Sequence, residues 1–236
     1  MTATAIRGLV AALALCGAGG PGAQSPPSSG GAPGNAADAR PAAPALERAD
    51  LEAWLDGLIP FALAQGDIAG MVVAVVKDGA VLLQKGYGYA DVERRIPMDP
   101  ERTLIAVGSV SKLFTWTAVM QQVERGRLDL DRDINEYLDF RIPEAFGRPI
   151  TLRHLMTHTA GFEERSFRSY DTPRRLAEHL RRTQVPSRIF PPGEVVAYSN
   201  YGSMLGGYLV ERVTGVPFVE YVERQVLAPL GMTRST

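Results

Sequence analysis

Two short stretches of this sequence have the residue types and spacing to move a proton and form a covalent bond. In the first, Gly108 to Lys112 (GSVSK), a lysine follows Ser109 by three positions at the start of an apolar, helix-like run that ends near Gly126. Residues three apart share a helix face, so the amine reaches the hydroxyl. A serine hydroxyl is a weak nucleophile until a base takes its proton. Lysine can be that base when desolvation beside a helix N-terminus lowers its pKa from about 10.4. Lysine is also scarce in this chain. Lys77 and Lys85 are the only others, both beside a polar turn where a solvated lysine is expected. Arginine does the remaining basic work, and a permanently protonated guanidinium cannot serve as a base. Gly108 would let backbone amides approach a reacting carbonyl, and Ser109 at a helix start would aim its own N–H at an oxyanion.

The second stretch is Tyr198-Ser199-Asn200, which follows a Pro191-Pro192-Gly193 turn and opens a run of small residues, YSNYGSMLGGYL. A tyrosine phenol near a lysine cation can act as a base and later return the proton to a leaving group. Asn200 offers both a donor and an acceptor, for a substrate amide or for Lys112. Each residue also has an ordinary structural role open to it. Ser109 would be a helix N-cap, Lys112 a snorkelling surface residue, Tyr198 a packed ring and Asn200 an N-cap.

These residues need elements to hold them. Ala45 to Ala64 has helical spacing, with Leu51, Trp54, Leu55 and Leu58 on one face. Met71 to Val76, the turn pair Asp78-Gly79 and Ala80 to Leu83 read as a β-hairpin, continued or closed by GYGYAD, Gly86 to Asp91. Helices are expected over Leu152–Thr157, over Thr172–Arg182 with Pro173 in its first turn, over Asn200–Thr214 closed by Gly215, and over Pro217–Leu227. One hairpin followed by a helical block is an α+β pattern, but two strands alone make a poor sheet in water.

Composition sets the outer limits. The chain has 236 residues, 45% apolar and 22% charged, with a formal net charge of −1. That is an ordinary globular composition, with no electrostatic footprint for nucleic acid. The three histidines, His154, His158 and His179, are scattered, and no Cys–His cluster has metal-ligand spacing. Arg7, the apolar Gly8–Leu15 and the small residues through Ala23 predict a secretory signal over 1–23, hence a secreted or periplasmic protein. A Gly/Pro/Ser-rich linker is expected over 24–44, and the folded domain over 45–236. Cys16, the only cysteine, ends a LALC stretch that imperfectly matches a lipoprotein site, since Leu15 stands where a small residue is expected. A membrane tether through Cys16 is therefore an open alternative.

GSVSKLFT, YSNYG, LRHLMTHTAGF, RLDLDRDINEYL and the ending LAPLGM resemble the serine β-lactamase-related family: class C β-lactamases, D,D-peptidases, D-aminopeptidases and related esterases. The similarity runs from about Leu58 to Met232. S-x-x-K and Y-x-N are two of that family's three motifs, a variant of the S-x-x-K, S-D-N and K-T-G set. The resemblance implies a β-lactamase/penicillin-binding-protein-like α+β fold, an antiparallel sheet flanked by helices with a helical subdomain. It implies a serine hydrolase acting on an amide or ester bond of a small-molecule or peptide substrate, without metal or organic cofactor. Ser109 would carry the acyl group, Lys112 and Tyr198 would shuttle its proton, and Asn200 would orient the substrate. His158 would be structural, near the cleft, and His154 and His179 ordinary surface or packing residues.

One departure stands out. The third motif, K/H-[ST]-G, is absent: His158-Thr159-Ala160-Gly161 has one residue too many, and Val213-Thr214-Gly215 lacks the basic residue. In the family that motif lies on a later sheet strand. The expectation is a C-terminally truncated chain without the last sheet strands, and residues 1–236 that by themselves turn over little or no substrate. A penicillin-recognising sensor that acylates without turnover, and a non-catalytic remnant, are the competing readings.

Overall fold

In the computed structural model of the protein, which describes residues 45–164, 176–182 and 184–235, the chain divides into two units between Ala106 and Val107. The expected signal segment with Cys16, the linker, and positions 172–175 of one expected helix lie outside the described residues.

The first unit is a helix on a small antiparallel sheet. Helix α1 (Arg48–Gly66) is followed by β1 (Gly70–Lys77), β2 (Ala80–Asp91) and a two-residue β3 (Ile96–Pro97), in the order β1-β2-β3. Asp78 and Gly79 both take positive φ, as the tight turn of a hairpin requires. The expected hairpin is present, and β3 adds a strand that the sequence pattern did not reveal. The residue after it explains Gly86 of the GYGYAD stretch, where a Cβ would lie 2.0 Å from the Met98 carbonyl oxygen, while a Cβ on Gly88 would lie 2.4 Å from the Ala69 carbonyl oxygen on the other side.

The buried stripe of α1 differs from the expected one. Leu55, Ile59 and Leu63, with half-buried Leu51, pack on Leu83 and Tyr87, whereas Trp54 is 62% exposed and Leu58 is also exposed. Spacing by four places Leu51, Leu55, Ile59 and Leu63 along one narrow line, which is the width of contact that the hairpin offers. Lys85 is not a solvated turn residue either. It donates to Glu52 at 2.7 Å and to Asp56 at 2.9 Å, while the Tyr87 hydroxyl donates to Asp56 at 2.8 Å. The hydrogen bonds from Lys85 and then Tyr87 hold the Asp56 carboxyl below its ordinary range. Burial, then the bond to Asp56, pushes the Tyr87 phenol up to about 12.

The second unit is helical. A 3-10 turn over Gly108–Ser111 runs into α2 (Lys112–Glu124), and α3 (Leu152–Met156), α4 (Leu176–Arg182), α5 (Asn200–Thr214) and α6 (Phe218–Val222) follow. A π-helical turn over Glu223–Leu227 extends α6. Helix α5 is the spine: Tyr201, Leu205, Tyr208, Leu209 and Val210 are all at most 2% exposed. Its glycines set how closely neighbours approach. A Cβ on Gly206 would lie 2.4 Å from the Trp116 ring of α2, and one on Gly207 would lie 2.9 Å from Leu176 and 3.3 Å from Phe218. Gly215, in the left-handed region at φ 73°, ends α5 as expected.

His154 is more than a packing residue. It completes a capping box at the start of α3, its Nδ1 accepting from the Thr151 N–H at 3.2 Å. Arg153 pairs with both oxygens of Asp131 at 2.7 and 2.8 Å, fixing the RLDLDRDINEYL segment to α3.

Because α5 is buried over most of its circumference, Leu205→Ala is expected to lower unfolding free energy by about 2–5 kcal/mol. Urea unfolding followed by circular dichroism checks this, with a fall in midpoint at unchanged slope as the expected signature.

Candidate active site

Packing of α2 against α5 brings the two chemically distinctive stretches together within the second unit. Ser109 lies on the 3-10 turn, not within the α-helix, and Lys112 is the first residue of α2. The tighter turn still stacks residues three apart, and Lys112 Nζ donates to Ser109 Oγ at 2.9 Å. Gly108 takes φ +55° with open space where a Cβ would be, so it serves backbone conformation there and relieves no crowding.

Tyr198 lies two residues before α5, and its hydroxyl is 2.5 Å from Ser109 Oγ. Asn200 is the first residue of α5 and accepts from Lys112 Nζ through Oδ1 at 2.7 Å. The ordinary structural roles are therefore filled differently. Ser199 caps α5, its Oγ accepting from the Gly202 N–H at 3.1 Å, which frees the Asn200 side chain. Ser109 makes no capping bond, and Tyr198 is 43% exposed instead of packed away. Lys112 Nζ also sits 4.9 Å from the centre of the Tyr198 ring.

Tyr198 is held from its other side by His158. The two rings are 4.5 Å apart and tilted by 34°. His158 Nδ1 accepts from the Ser199 N–H at 3.2 Å, and its carbonyl accepts from the Ala197 N–H at 2.7 Å. His158 thus grips the backbone on both sides of Tyr198, from a left-handed backbone conformation of its own at φ 56°. Burial first, and the Lys112 charge second, lower its pKa below the ordinary 6.5. Gly161 lets the same loop lie against the Pro-Pro-Gly turn: its φ is +78°, and a Cβ would lie 2.0 Å from the Phe190 carbonyl oxygen.

Glu164, which no motif singled out, accepts from the Asn200 backbone N–H at 2.9 Å and from Asn200 Nδ2 at 2.7 Å. Asn200 is consequently almost fully used. Its oxygen faces Lys112 and one amide hydrogen faces Glu164, which leaves one N–H for a substrate acceptor. The sequence held little sign of this, since Glu163-Glu164 reads as a solvated acidic pair 36 residues before its partner. No group of three or more His, Cys, Asp or Glu is placed to hold a metal ion among the described residues.

The Beta-lactamase family model matches residues 45–236, and the chain belongs to this family. Esterase EstB of Burkholderia gladioli is 34% identical over 218 residues, covering 84% of this chain and 54% of EstB. The octameric penicillin-binding protein homologue from Pyrococcus abyssi superposes with a TM-score of 0.68 at 30% identity, over 77% of this chain and 43% of that one. EstCE1, a hydrolase with promiscuous acyltransferase activity, gives a TM-score of 0.67 at 28% identity, over 78% and 52% of the two chains. The chain spans about half the length, or less, of the curated relatives it matches. Its fold is β-lactamase/penicillin-binding-protein-like, α+β, with helices and a small antiparallel sheet.

A histidine whose pKa is depressed on folding takes up its proton later than the unfolded chain does. Its stabilising contribution is present above the unfolded value and lost as pH falls through the window from about 6.5 down to the folded pKa. Proton NMR titration is expected to place His158 below 6.5, and Lys112→Met to move it back part of the way. His154, lowered chiefly by burial, adds acid sensitivity of the same sign.

Proposed function

We propose that the protein is a serine hydrolase that cleaves an ester or amide bond through an acyl-enzyme on Ser109. The observation that carries this reading is the position of Ser109 Oγ, within hydrogen-bond distance of both the Tyr198 hydroxyl and Lys112 Nζ. A nucleophile, a proton acceptor and a cation thus meet at one oxygen atom.

In this mechanism Ser109 Oγ attacks the substrate carbonyl carbon as its proton passes to the Tyr198 oxygen, which enters the step as the phenolate. Lys112 acts here as the ammonium and not as the base that the sequence allows: donating to Ser109 and close to the tyrosine ring, it stabilises negative charge as it builds on either oxygen. The Ser109 N–H donates to the carbonyl oxygen as it becomes an oxyanion. Collapse of the tetrahedral intermediate breaks the bond to the leaving alcohol or amine, which takes the proton from Tyr198. Water then adds to the acyl-serine as its proton passes to Tyr198, and Tyr198 returns that proton to Ser109 Oγ as the carboxylic acid leaves. Asn200 contributes its remaining N–H to an acceptor on the acyl side of the substrate.

Among acyl donors we favour esters. Likeness to EstB and EstCE1 supports this preference. β-Lactams and D-amino-acid peptides are the competing substrates of the same machinery. The charged start, apolar stretch and small-residue exit of residues 1–23 support a secreted or periplasmic location, with Cys16 as an alternative lipid anchor.

With the full-length protein and a p-nitrophenyl ester, Ser109→Ala is expected to abolish turnover. Tyr198→Phe is expected to lower kcat/KM by roughly 10²–10⁴-fold, the range of a lost general acid–base group. A fluorophosphonate should add one phosphonyl mass to the Ser109 peptide. Labelling of a different residue, or full activity in Ser109→Ala, refutes the reading. Stable acylation of Ser109 by a penicillin without product release would identify a sensor instead of a hydrolase.

A further inference from the structure

We propose that Glu164 is a positioning residue of this site, holding the Asn200 carboxamide so that its oxygen, and not its nitrogen, faces Lys112. A carboxamide has two sides of nearly equal size, and its neighbours decide which side is which. Here the two neighbours are unambiguous. Lys112 can only donate, and it meets Asn200 Oδ1 at 2.7 Å. An ionised Glu164 can only accept, and it meets Asn200 Nδ2 at 2.7 Å. Its second oxygen takes the Asn200 backbone N–H at 2.9 Å, at the first residue of a fifteen-residue helix, where an anion is favoured. The carboxylate therefore fixes both the backbone and the side chain of Asn200 with two charge-assisted bonds.

Glu164 is itself well founded. Phe162, two residues before it, is 1% exposed and packs edge-on against Tyr201 with ring centres 5.2 Å apart. A bridge between Phe162 and Arg188, together with the Glu163 N–H donating to the Ser187 carbonyl at 2.8 Å, secures the backbone that delivers Glu164. The result is a line of four groups, Glu164 to Asn200 to Lys112 to Ser109, in which each contact fixes the orientation of the next. An anion stands at one end and the nucleophilic oxygen at the other. The catalytic consequence rests on the hydrolase reading; the orientation of Asn200 does not.

Glu164→Gln places an N–H₂ where one of the two acceptors was, so one contact to Asn200 becomes donor against donor. The expected result has two independent readouts. In ¹⁵N-resolved NMR spectra, the Asn200 side-chain amide protons shift and exchange faster with water. The rate of fluorophosphonate labelling at Ser109 falls roughly ten- to hundredfold, the equivalent of one lost hydrogen bond to a charged group. A merely structural role would lower the melting temperature and leave nothing for a compensating substitution to restore. In Glu164→Gln/Asn200→Asp, donor and acceptor are exchanged across the same contact and an acceptor still meets Lys112. The double variant should therefore label faster than the product of the two single losses.

Asn200 amide signals that ignore Glu164→Gln overturn the proposal, and so do strictly additive losses. A wild-type protein that is not labelled at Ser109, while its Asn200 signals respond as expected, refutes the hydrolase reading and upholds the contact.

Discussion

Everything at the site depends on how closely two helices can approach. Helix α5 lacks a side chain at Gly206, and the Trp116 ring of α2 occupies that space. A methyl group there would meet the indole at 2.4 Å, so the spacing of the two helices is set by a single missing carbon. The 2.7 Å contact between Lys112 on one helix and Asn200 on the other follows from that spacing. Both residues stand at the first position of their helices, so a small change in crossing geometry would separate them.

Charge within the site is arranged in alternation. Lys112 is flanked by two oxygen-bearing partners, Ser109 and Asn200, and by the Tyr198 ring, and Glu164 lies beyond Asn200. The amide between the cation and the anion transmits a preference for orientation without letting the two charges meet. His158, kept neutral at pH 7 by burial and by the lysine charge, packs against Tyr198 without adding a second cation. A protonated imidazole there would compete with Lys112 for the same electron-rich neighbours.

How much could be read beforehand differs by the range of the interaction. The hairpin turn at Asp78-Gly79, the stop of α5 at Gly215 and the S-x-x-K face are local, and local backbone preferences express them directly. So does the pairing of GSVSK with YSN, once the resemblance to a known family links two stretches 86 residues apart. What stayed hidden is long-range. Glu164 acquires meaning only from Asn200, and Lys85 only from Glu52 and Asp56 on a helix some thirty residues earlier. Strand β3 is two residues long and includes a proline, too short for any alternation to register. On α1 the spacing groups Trp54 with the buried face, because size and apolarity cannot tell which of two adjacent stripes meets the hairpin.

The close contact at Gly206 also gives the protein an optical handle. Its two tryptophans sit in opposite surroundings, Trp54 largely in water and Trp116 half-buried against α5, one helical turn beyond Lys112. Emission from Trp54 is expected to be that of solvated indole, with a blue-shifted component from Trp116. With Trp54 replaced by phenylalanine, the remaining fluorescence reports on the α2–α5 seam alone, so loosening of that seam registers as a colour change.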